Sequence, residues 1–253
     1  MSSRDHWYNK AKQEGYRSRA AYKLKQLDEA VPLVRRGDVV VDLGAAPGGW
    51  LQVAAELAGP TGLVLGVDRQ HIDPIDGVET LVGDLTEAET RAAIVDRVGE
   101  AAVVLSDMAP NMTGEYGLDH ARSVHLARMA LEVATAVLAG GGRFAVKVFQ
   151  GPDLPAFRRD LEAEFDRVRV VEPEASRSSS SEVYLVATGR LTAPVRAGDR
   201  LTVAIEARGD EGDGIATVEG FTLFVPDAAV GEEVDVVVTG VKPRFGFAKR
   251  RGA

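Results

Sequence analysis

Apolar runs alternate with amphipathic stretches along the first 188 residues. The short apolar runs predict strands, and the longer stretches with apolar residues every three or four positions predict helices. Predicted strands are 38–43, 63–68, 79–82, 101–107, 143–149, 165–171 and 182–188, and predicted helices are 18–30, 48–58, 87–98, 119–139 and 154–164. Thr86 is a candidate N-cap of the third helix, and the glycines at 140–142 are expected to end the fourth. Strands that alternate with helices predict a doubly wound, mostly parallel α/β sheet.

The pattern changes after Gly189. Short alternating runs between 201 and 243 are separated by Gly, Asp and Pro, with no helical stretch among them. Four or five short strands in this space predict a small all-β barrel. We therefore divide the chain into an α/β domain, 1–190, and a barrel, 192–253. A serine-rich stretch at 176–181 is the one low-complexity patch in the sequence.

Charge is distributed unevenly along the chain. The net charge is −8, yet residues 1–25 and 242–253 each carry a net +5 and the residues between them −18. Nucleic-acid binding requires clustered cations, and the two basic ends supply them. Each end taken alone is equally typical of a solvated tail. The acidic middle, with 7 Lys in the chain against 23 Arg, suggests adaptation to high salt.

Several function classes are excluded or disfavoured by the sequence. Cysteine is absent, which excludes disulfides and thiolate metal sites. No apolar run reaches the roughly 20 residues of a membrane span, and the N-terminus lacks the apolar centre of a signal peptide. His120 and His125 do not share a helical face, so we expect no metal site. These observations predict a cytoplasmic protein and leave its oligomeric state open.

A glycine-rich loop follows the first predicted strand, in VVVDLGAAPGGW. Gly44 and Gly48 allow a sharp turn and the close approach of a ligand. A dinucleotide would need backbone N–H groups for its pyrophosphate, but Pro47 has none to offer. S-adenosylmethionine carries no phosphate, so the loop favours that cofactor over a nicotinamide dinucleotide.

Carboxylates follow the next two strands. Asp68 ends the second predicted strand, where it can accept hydrogen bonds from both ribose hydroxyls of a nucleoside cofactor. Asp84 follows the third strand, where it can contact an adenine amino group. Either residue alone is more typical of a strand-end cap, but their order behind the glycine loop favours cofactor binding.

Four further residues form the candidate catalytic set. Asp107 ends the fourth predicted strand, and Lys147 lies inside the apolar run of the fifth, which is unusual for a lysine. Glu182 opens the last strand of the α/β domain and Lys23 lies in the first helix. Alone, the last two would be solvated surface residues.

The strings YRSRAAYKL, DLGAAPGGW, LSDMAPNMTG, FAVKVFQG and SRSSSSEVYLVA, in this order, resemble the FtsJ family of ribosomal RNA 2′-O-methyltransferases, also called the RlmE or RrmJ family. The resemblance covers roughly residues 7–188 and implies a Rossmann-like seven-strand methyltransferase sheet. Its Lys-Asp-Lys-Glu tetrad falls on the catalytic set above. It also implies S-adenosylmethionine contacts at five residues: Gly48, Trp50, Asp68, Asp84 and Asp107.

A ribose hydroxyl is a poor nucleophile until its proton leaves, so such an enzyme must position two substrates and remove one proton. Lys147 acts as the base only if it is neutral. Lys23 nearby would favour that form, whereas Asp107 and Glu182 would oppose it. The alternative is that Lys147 stays charged and stabilises the developing alkoxide.

Residues 192–250 resemble a TRAM domain, a small OB-like barrel found on RNA-modifying enzymes. Phenylalanines 221, 224, 245 and 247 interleave there with Lys242, Arg244, Lys249 and Arg250. Aromatic faces stack on bases while cations hold phosphates. We expect Phe221 or Phe224 in the barrel core, and Phe245 and Phe247 at its surface.

These observations predict an S-adenosylmethionine-dependent enzyme that methylates a uridine 2′-hydroxyl in large-subunit ribosomal RNA, with that RNA or the large subunit as its partner. Two alternatives remain open: a transfer-RNA 2′-O-methyltransferase, and a non-catalytic RNA-binding ribosome assembly factor. Neither a membrane nor a metal partner is expected.

Overall fold

A computed structural model describes residues 3–176 and 181–251. Most of the serine-rich stretch, 177–180, lies outside the described residues. The chain forms two compact units, Met1–Thr188 and Gly189–Ala253.

The first unit contains six helices and seven strands among its described residues. The helices are α1 (Ser3–Gln13), α2 (Ala20–Ala30), α3 (Gly49–Ala58), α4 (Ala88–Val98), α5 (Tyr116–Val137) and α6 (Leu154–Glu164). The strands are β1 (Val39–Leu43), β2 (Leu63–Asp68), β3 (Val78–Val82), β4 (Ala101–Ser106), β5 (Leu138–Phe149), β6 (Phe165–Val171) and β7 (Glu182–Arg190).

The strands form one sheet in the order β3-β2-β1-β4-β5-β7-β6. Strands β3, β2, β1, β4 and β5 pair in parallel, whereas β7 runs antiparallel to β5. The predicted seven-strand α/β sheet is therefore confirmed. The order reverses between β1 and β4, so their carboxyl ends form the crevice in which such sheets bind ligands.

Helices cover both faces of this sheet, because successive residues of a strand point to opposite sides. In β1, Val41 and Leu43 pack into a core shared with α4, α5 and α6, whereas Val40 packs into a second core with α2 and α3. Burial on both faces explains why these strands read as continuous apolar runs.

Three local predictions require correction. Helix α1 was not predicted, because its sequence is largely polar and Ala11 is one of its few buried side chains. Thr86 does not cap α4, whose first residue is Ala88. The N–H and the hydroxyl of Thr86 both donate to Asp84 instead. The glycines at 140–142 lie within β5, since α5 has already ended at Val137.

The second unit is a six-stranded sheet in the order β8-β12-β13-β11-β10-β9. Its strands are β8 (Arg200–Ala204), β9 (Ala207–Arg208), β10 (Gly214–Val218), β11 (Phe221–Val225), β12 (Glu233–Val241) and β13 (Phe245–Arg250). It has its own apolar core, which includes Val203, Leu223 and Val236. The predicted all-β character of this region is confirmed, although the prediction missed β13.

Candidate active site

A cavity of about 760 Å³ opens at the carboxyl ends of β1, β2, β3 and β4. Asp68, Asp84 and Asp107 all line it. Gly44 also lines it and has a φ of +77°, and a Cβ there would collide with the Met108 side chain. A glycine is therefore required at position 44 both by the backbone conformation and by the close approach of the loop that follows β4, which contains Met108.

Asp68 and Asp84 are fixed by hydrogen bonds around this cavity. The Asp68 carboxylate accepts the backbone N–H groups of Ala46 (2.9 Å) and Gln70 (2.8 Å). Asp84 accepts the N–H (2.9 Å) and hydroxyl (2.8 Å) of Thr86, which lower the pKa of its carboxyl, as does Arg69. A carboxylate offers about four acceptor positions, so both retain capacity for a ligand.

Gly48 and Trp50 are not among the residues that line the cavity. Gly48 adopts a φ of 109° immediately before α3, and a Cβ there would lie 2.8 Å from the Ile75 side chain. Trp50 is buried, and its indole N–H donates to the Ala20 carbonyl at 2.8 Å. These two residues thus shape the loop and join α3 to α2, the helix that carries Lys23.

The four predicted catalytic residues meet in one buried charge network. Lys147 Nζ lies 2.8 Å from Asp107 Oδ1 and 2.5 Å from the Asp107 carbonyl oxygen. Lys23 Nζ lies 2.6 Å from Glu182 Oε1 and 3.8 Å from Asp107 Oδ1. Both lysine side chains are at least nine-tenths buried.

Strand pairing explains why they meet. Ser106 lies opposite Val146, so Asp107, the next residue, emerges beside Lys147. Strand β7 runs antiparallel, so its first residue, Glu182, lies at the edge where β4 and β5 end. That edge also borders the cavity.

Both carboxylates of the network are stabilised as anions. Burial alone would raise the pKa of Asp107, but the ammonium groups of Lys147 and Lys23 outweigh it and hold that pKa below its usual value. Burial likewise opposes ionisation of Glu182, and the ion pair with Lys23 lowers its pKa nevertheless. The site is therefore a set of paired charges in a dry environment, where electrostatic interactions are strong.

Tyr184 belongs to this network and was missed by sequence reasoning. Its side chain is buried, lies opposite Lys147 in the sheet, and donates its hydroxyl to Asp107 Oδ1 at 2.5 Å. Burial raises the pKa of Tyr184 well above its usual value, and the negative charges of Asp107 and Glu182 act in the same direction. The available signal was its spacing of two residues from Glu182, which places both side chains on one face of β7.

Asp42 was also missed, although an acidic residue inside the apolar run of β1 is unusual. Its side chain is 1% exposed, and neither carboxyl oxygen has a hydrogen-bond partner within the described part of the chain. Burial raises the pKa of Asp42 well above its usual value, and the charges of Asp107 and Asp68 add to the shift. The surroundings thus favour its neutral form.

A family model for FtsJ-like methyltransferases matches residues 16–190, more than half of the chain. The chain belongs to this family. A second family model, for the TRAM domain, matches residues 194–249. Both family resemblances expected from the sequence are confirmed.

Relatives match this FtsJ-like chain over almost its whole length. A protein of Natronomonas pharaonis named ribosomal RNA large subunit methyltransferase E is 65% identical, over 98% of this chain and 99% of its own. A protein of the same name from Halobacterium salinarum is 59% identical, over 98% and 97%. A crystal structure from Plasmodium falciparum, titled as that of a ribosomal RNA methyltransferase, is 26% identical with a TM-score of 0.63 over 69% of this chain and 98% of its own.

The TRAM domain of this FtsJ-like methyltransferase carries an exposed aromatic cluster. Phe245 and Phe247 are 37% and 43% exposed, and their ring centroids lie 5.5 Å apart. Phe224 contacts both rings, whereas Phe221 is buried in the core. The expected division between core and surface phenylalanines is confirmed.

The basic ends are partly structural. Arg17 donates to the backbone carbonyls of Pro47, Asp73 and Pro74, and Arg250 pairs with Glu232 at 2.6 Å. Net charge of a segment therefore overstates the cations it presents to solvent. Over residues 3–176 and 181–251, no helix is long and apolar enough to cross a membrane, and no group of three metal-ligating side chains occurs.

Proposed function

We propose that this protein transfers a methyl group from S-adenosylmethionine to the 2′-hydroxyl of a uridine in large-subunit ribosomal RNA. The observation that carries the proposal is the buried Lys147–Asp107 ion pair at the rim of the cavity. The names of the relatives from Natronomonas pharaonis and Halobacterium salinarum support ribosomal RNA as the substrate.

The residues around the cavity fit S-adenosylmethionine. The remaining acceptor positions of Asp68 suit the two ribose hydroxyls, and those of Asp84 suit the adenine amino group. Pro47, which offers no N–H, disfavours a pyrophosphate. The bound cofactor would supply a sulfonium methyl group that accepts in-line attack. We assign Gly48 and Trp50 a supporting role in shaping the loop.

Lys147 is the residue we assign to the reacting hydroxyl. An ammonium group has three N–H bonds, and the contacts to Asp107 account for two of them. The third would donate to the ribose oxygen and stabilise the negative charge that develops there as the hydroxyl proton passes to water and the methyl group moves from the sulfonium sulfur to the oxygen. If Lys147 instead loses its own proton first, it accepts the hydroxyl proton directly as a general base.

Lys23, Glu182 and Tyr184 would hold this arrangement. Lys23 and Tyr184 both contact the Asp107 carboxylate, and Glu182 balances the second ammonium. A buried charge without its partner is strongly destabilised, so each member keeps the others in place.

We further propose that the TRAM domain binds RNA through the cluster of Phe224, Phe245 and Phe247. Exposed rings stack on bases at about 1–3 kcal/mol each. Lys249 and Arg244 flank the rings in sequence and would contact phosphates.

Mapping of 2′-O-methylation tests the proposal. Total RNA from cells that lack this protein is incubated with labelled S-adenosylmethionine and the purified protein, and the modified nucleotide is located. We expect one methyl group at a uridine of the large-subunit RNA, and a rate of transfer about 10²–10⁴-fold lower with Lys147→Ala. Labelling of transfer RNA instead would contradict the substrate assignment, and no transfer to any RNA would contradict the enzymatic one.

A further inference from the structure

An exposed tyrosine lies beside the loop that follows the strand of Lys147. Tyr116 is the first residue of α5 and is 58% exposed. Its hydroxyl donates to the Gln150 carbonyl at 2.6 Å, three residues beyond Lys147. A large aromatic side chain is thus more than half exposed but attached at its hydroxyl end to the active-site edge of the sheet.

The loop that receives this hydrogen bond is itself held firmly. The Gln150 N–H donates to the Ser181 carbonyl at 2.8 Å, and its side-chain amide donates to Glu172 at 3.2 Å. The buried His120 side chain contacts both ends of the same loop, at Phe149 and at Asp153. Its Nδ1 lies 3.0 Å from the Phe149 carbonyl oxygen, and its Nε2 accepts the Asp153 N–H at 3.1 Å.

The segment that precedes Tyr116 is fixed in the same way. The carboxylate of Asp119 accepts the N–H and hydroxyl of Thr113, at 2.9 and 2.8 Å, and the Gly114 N–H at 3.0 Å. The same segment begins with Asn111, which lines the cavity. Tyr116 therefore lies between the two loops that leave β4 and β5, and both are anchored to the first turns of α5.

The positions of the cavity and of Lys147 indicate how an RNA substrate would approach. The cavity occupies the ends of β1, β2, β3 and β4, whereas Lys147 lies on β5, beyond it in the sheet. A ribose that reaches Lys147 brings its neighbouring nucleotides over the loops after β4 and β5. Enzymes that read single-stranded RNA stack its unpaired bases on aromatic side chains.

We propose that Tyr116 is a stacking platform for the base of a nucleotide next to the methylated one. The single exposed ring alone would need no explanation. The hydrogen bond from the Tyr116 hydroxyl to Gln150 is what points to a function, because a ring that is already held in place loses little conformational entropy when a base stacks on it. Exposed Met112 and Leu118 flank Tyr116 in sequence and would widen the apolar surface under that base. This inference rests on the proposed RNA substrate.

The test uses the full-length protein and a synthetic, unmodified RNA fragment that contains the uridine to be methylated. Tyr116→Leu removes the ring, and Tyr116→Phe removes only the hydroxyl. We expect Leu to raise KM for the RNA about tenfold, which corresponds to about 1.4 kcal/mol. Phe should raise it less than about threefold, with kcat near that of the wild type in both variants. Val170→Ala, which trims an exposed apolar side chain on the edge strand β6, is the control.

Abasic RNA separates stacking from a structural role. Removing the base that stacks on Tyr116 should raise KM of the wild type by the same factor, and Tyr116→Leu should then add nothing. Scanning single abasic positions on both sides of the uridine identifies that base. Equal effects of Tyr116→Leu on every RNA, or a fall in kcat without a change in KM, would overturn the proposal.

Binding of the same RNAs, measured by fluorescence anisotropy, keeps the two proposals distinguishable. If the wild type transfers no methyl group, the proposed function fails. The anisotropy series still judges Tyr116: a base-dependent loss of affinity in Tyr116→Leu supports stacking, and unchanged affinity refutes it.

Discussion

Replacing Asp42 by Asn tests what it means to bury a carboxyl group without a hydrogen-bond partner. The substitution keeps the size of the side chain and removes its ability to ionise. In the unfolded chain the carboxyl ionises near pH 3.8, whereas burial raises the pKa in the folded protein well above that value. Between the two pKa values the folded protein binds one proton more than the unfolded chain, so its stability falls as the pH rises.

The size of this effect follows from proton linkage. One proton contributes about 1.4 kcal/mol for each pH unit. For a domain of this size that slope corresponds to about 3–6 °C in Tm. The asparagine of the Asp42→Asn variant does not ionise, so the variant lacks this pH dependence. We therefore expect its free energy of unfolding, relative to that of the wild type, to increase by up to about 1.4 kcal/mol for each pH unit between pH 5 and 7.

Urea unfolding followed by tryptophan fluorescence measures the difference, because both tryptophans, Trp7 and Trp50, lie in the first unit. Asp119→Asn is the control. Hydrogen bonds, above all from the Thr113 N–H, lower the pKa of Asp119, so its contribution is complete above its unfolded pKa. The decrease in the free energy of unfolding caused by Asp119→Asn should therefore be constant from pH 5 to 7. If the Asp42→Asn difference is equally constant, the carboxyl has a partner or ionises at no cost, and the reasoning fails.

Three further predictions concern the proposed reaction. Lys147→Ala should lower kcat about 10²–10⁴-fold without weakening RNA or cofactor binding. If Lys147→Arg largely restores the rate in single-turnover assays, Lys147 acts as an electrostatic anchor and not as a base. Asp68→Ala should weaken S-adenosylmethionine binding in calorimetry, whereas NADH should not bind the wild type. Removing residues 192–253 should leave cofactor binding intact, since the two units have separate cores, and should weaken RNA binding over a range of salt concentrations.

The fold was largely predictable because its signals are local. Continuous apolar runs mark strands that are buried on both faces, and Val40 and Val41 of β1 show this by packing on opposite sides. Helix α1 escaped prediction because a polar helix with few buried side chains has no marked periodicity. The early start of β5 escaped it because the glycines at 140–142 are typical of a helix end.

The candidate site was only half predictable. Lys147 and Asp107 are visible as charges at unusual places in apolar strands. Tyr184 reads as an ordinary core aromatic, because nothing in the sequence says that β7 lies next to β5 and brings its hydroxyl to Asp107. The anchor of Tyr116 on Gln150 is invisible for the same reason, since it joins residues 34 positions apart. Long-range contacts depend on strand order, which local patterns do not specify.

The direction of β7 is a requirement of the charge network. Antiparallel pairing with β5 brings the first residues of β7, Glu182 and Tyr184, to the edge where Asp107 and Lys147 lie. A parallel strand in the same place would carry them to the opposite edge. Lys23 would then be buried beside a cation with one carboxylate, Asp107, to serve both, and an uncompensated buried charge is strongly destabilising. The antiparallel pairing of β7 with β5, at the end of a run of five parallel strands, thus supplies the second anion that lets two lysines share one dry site.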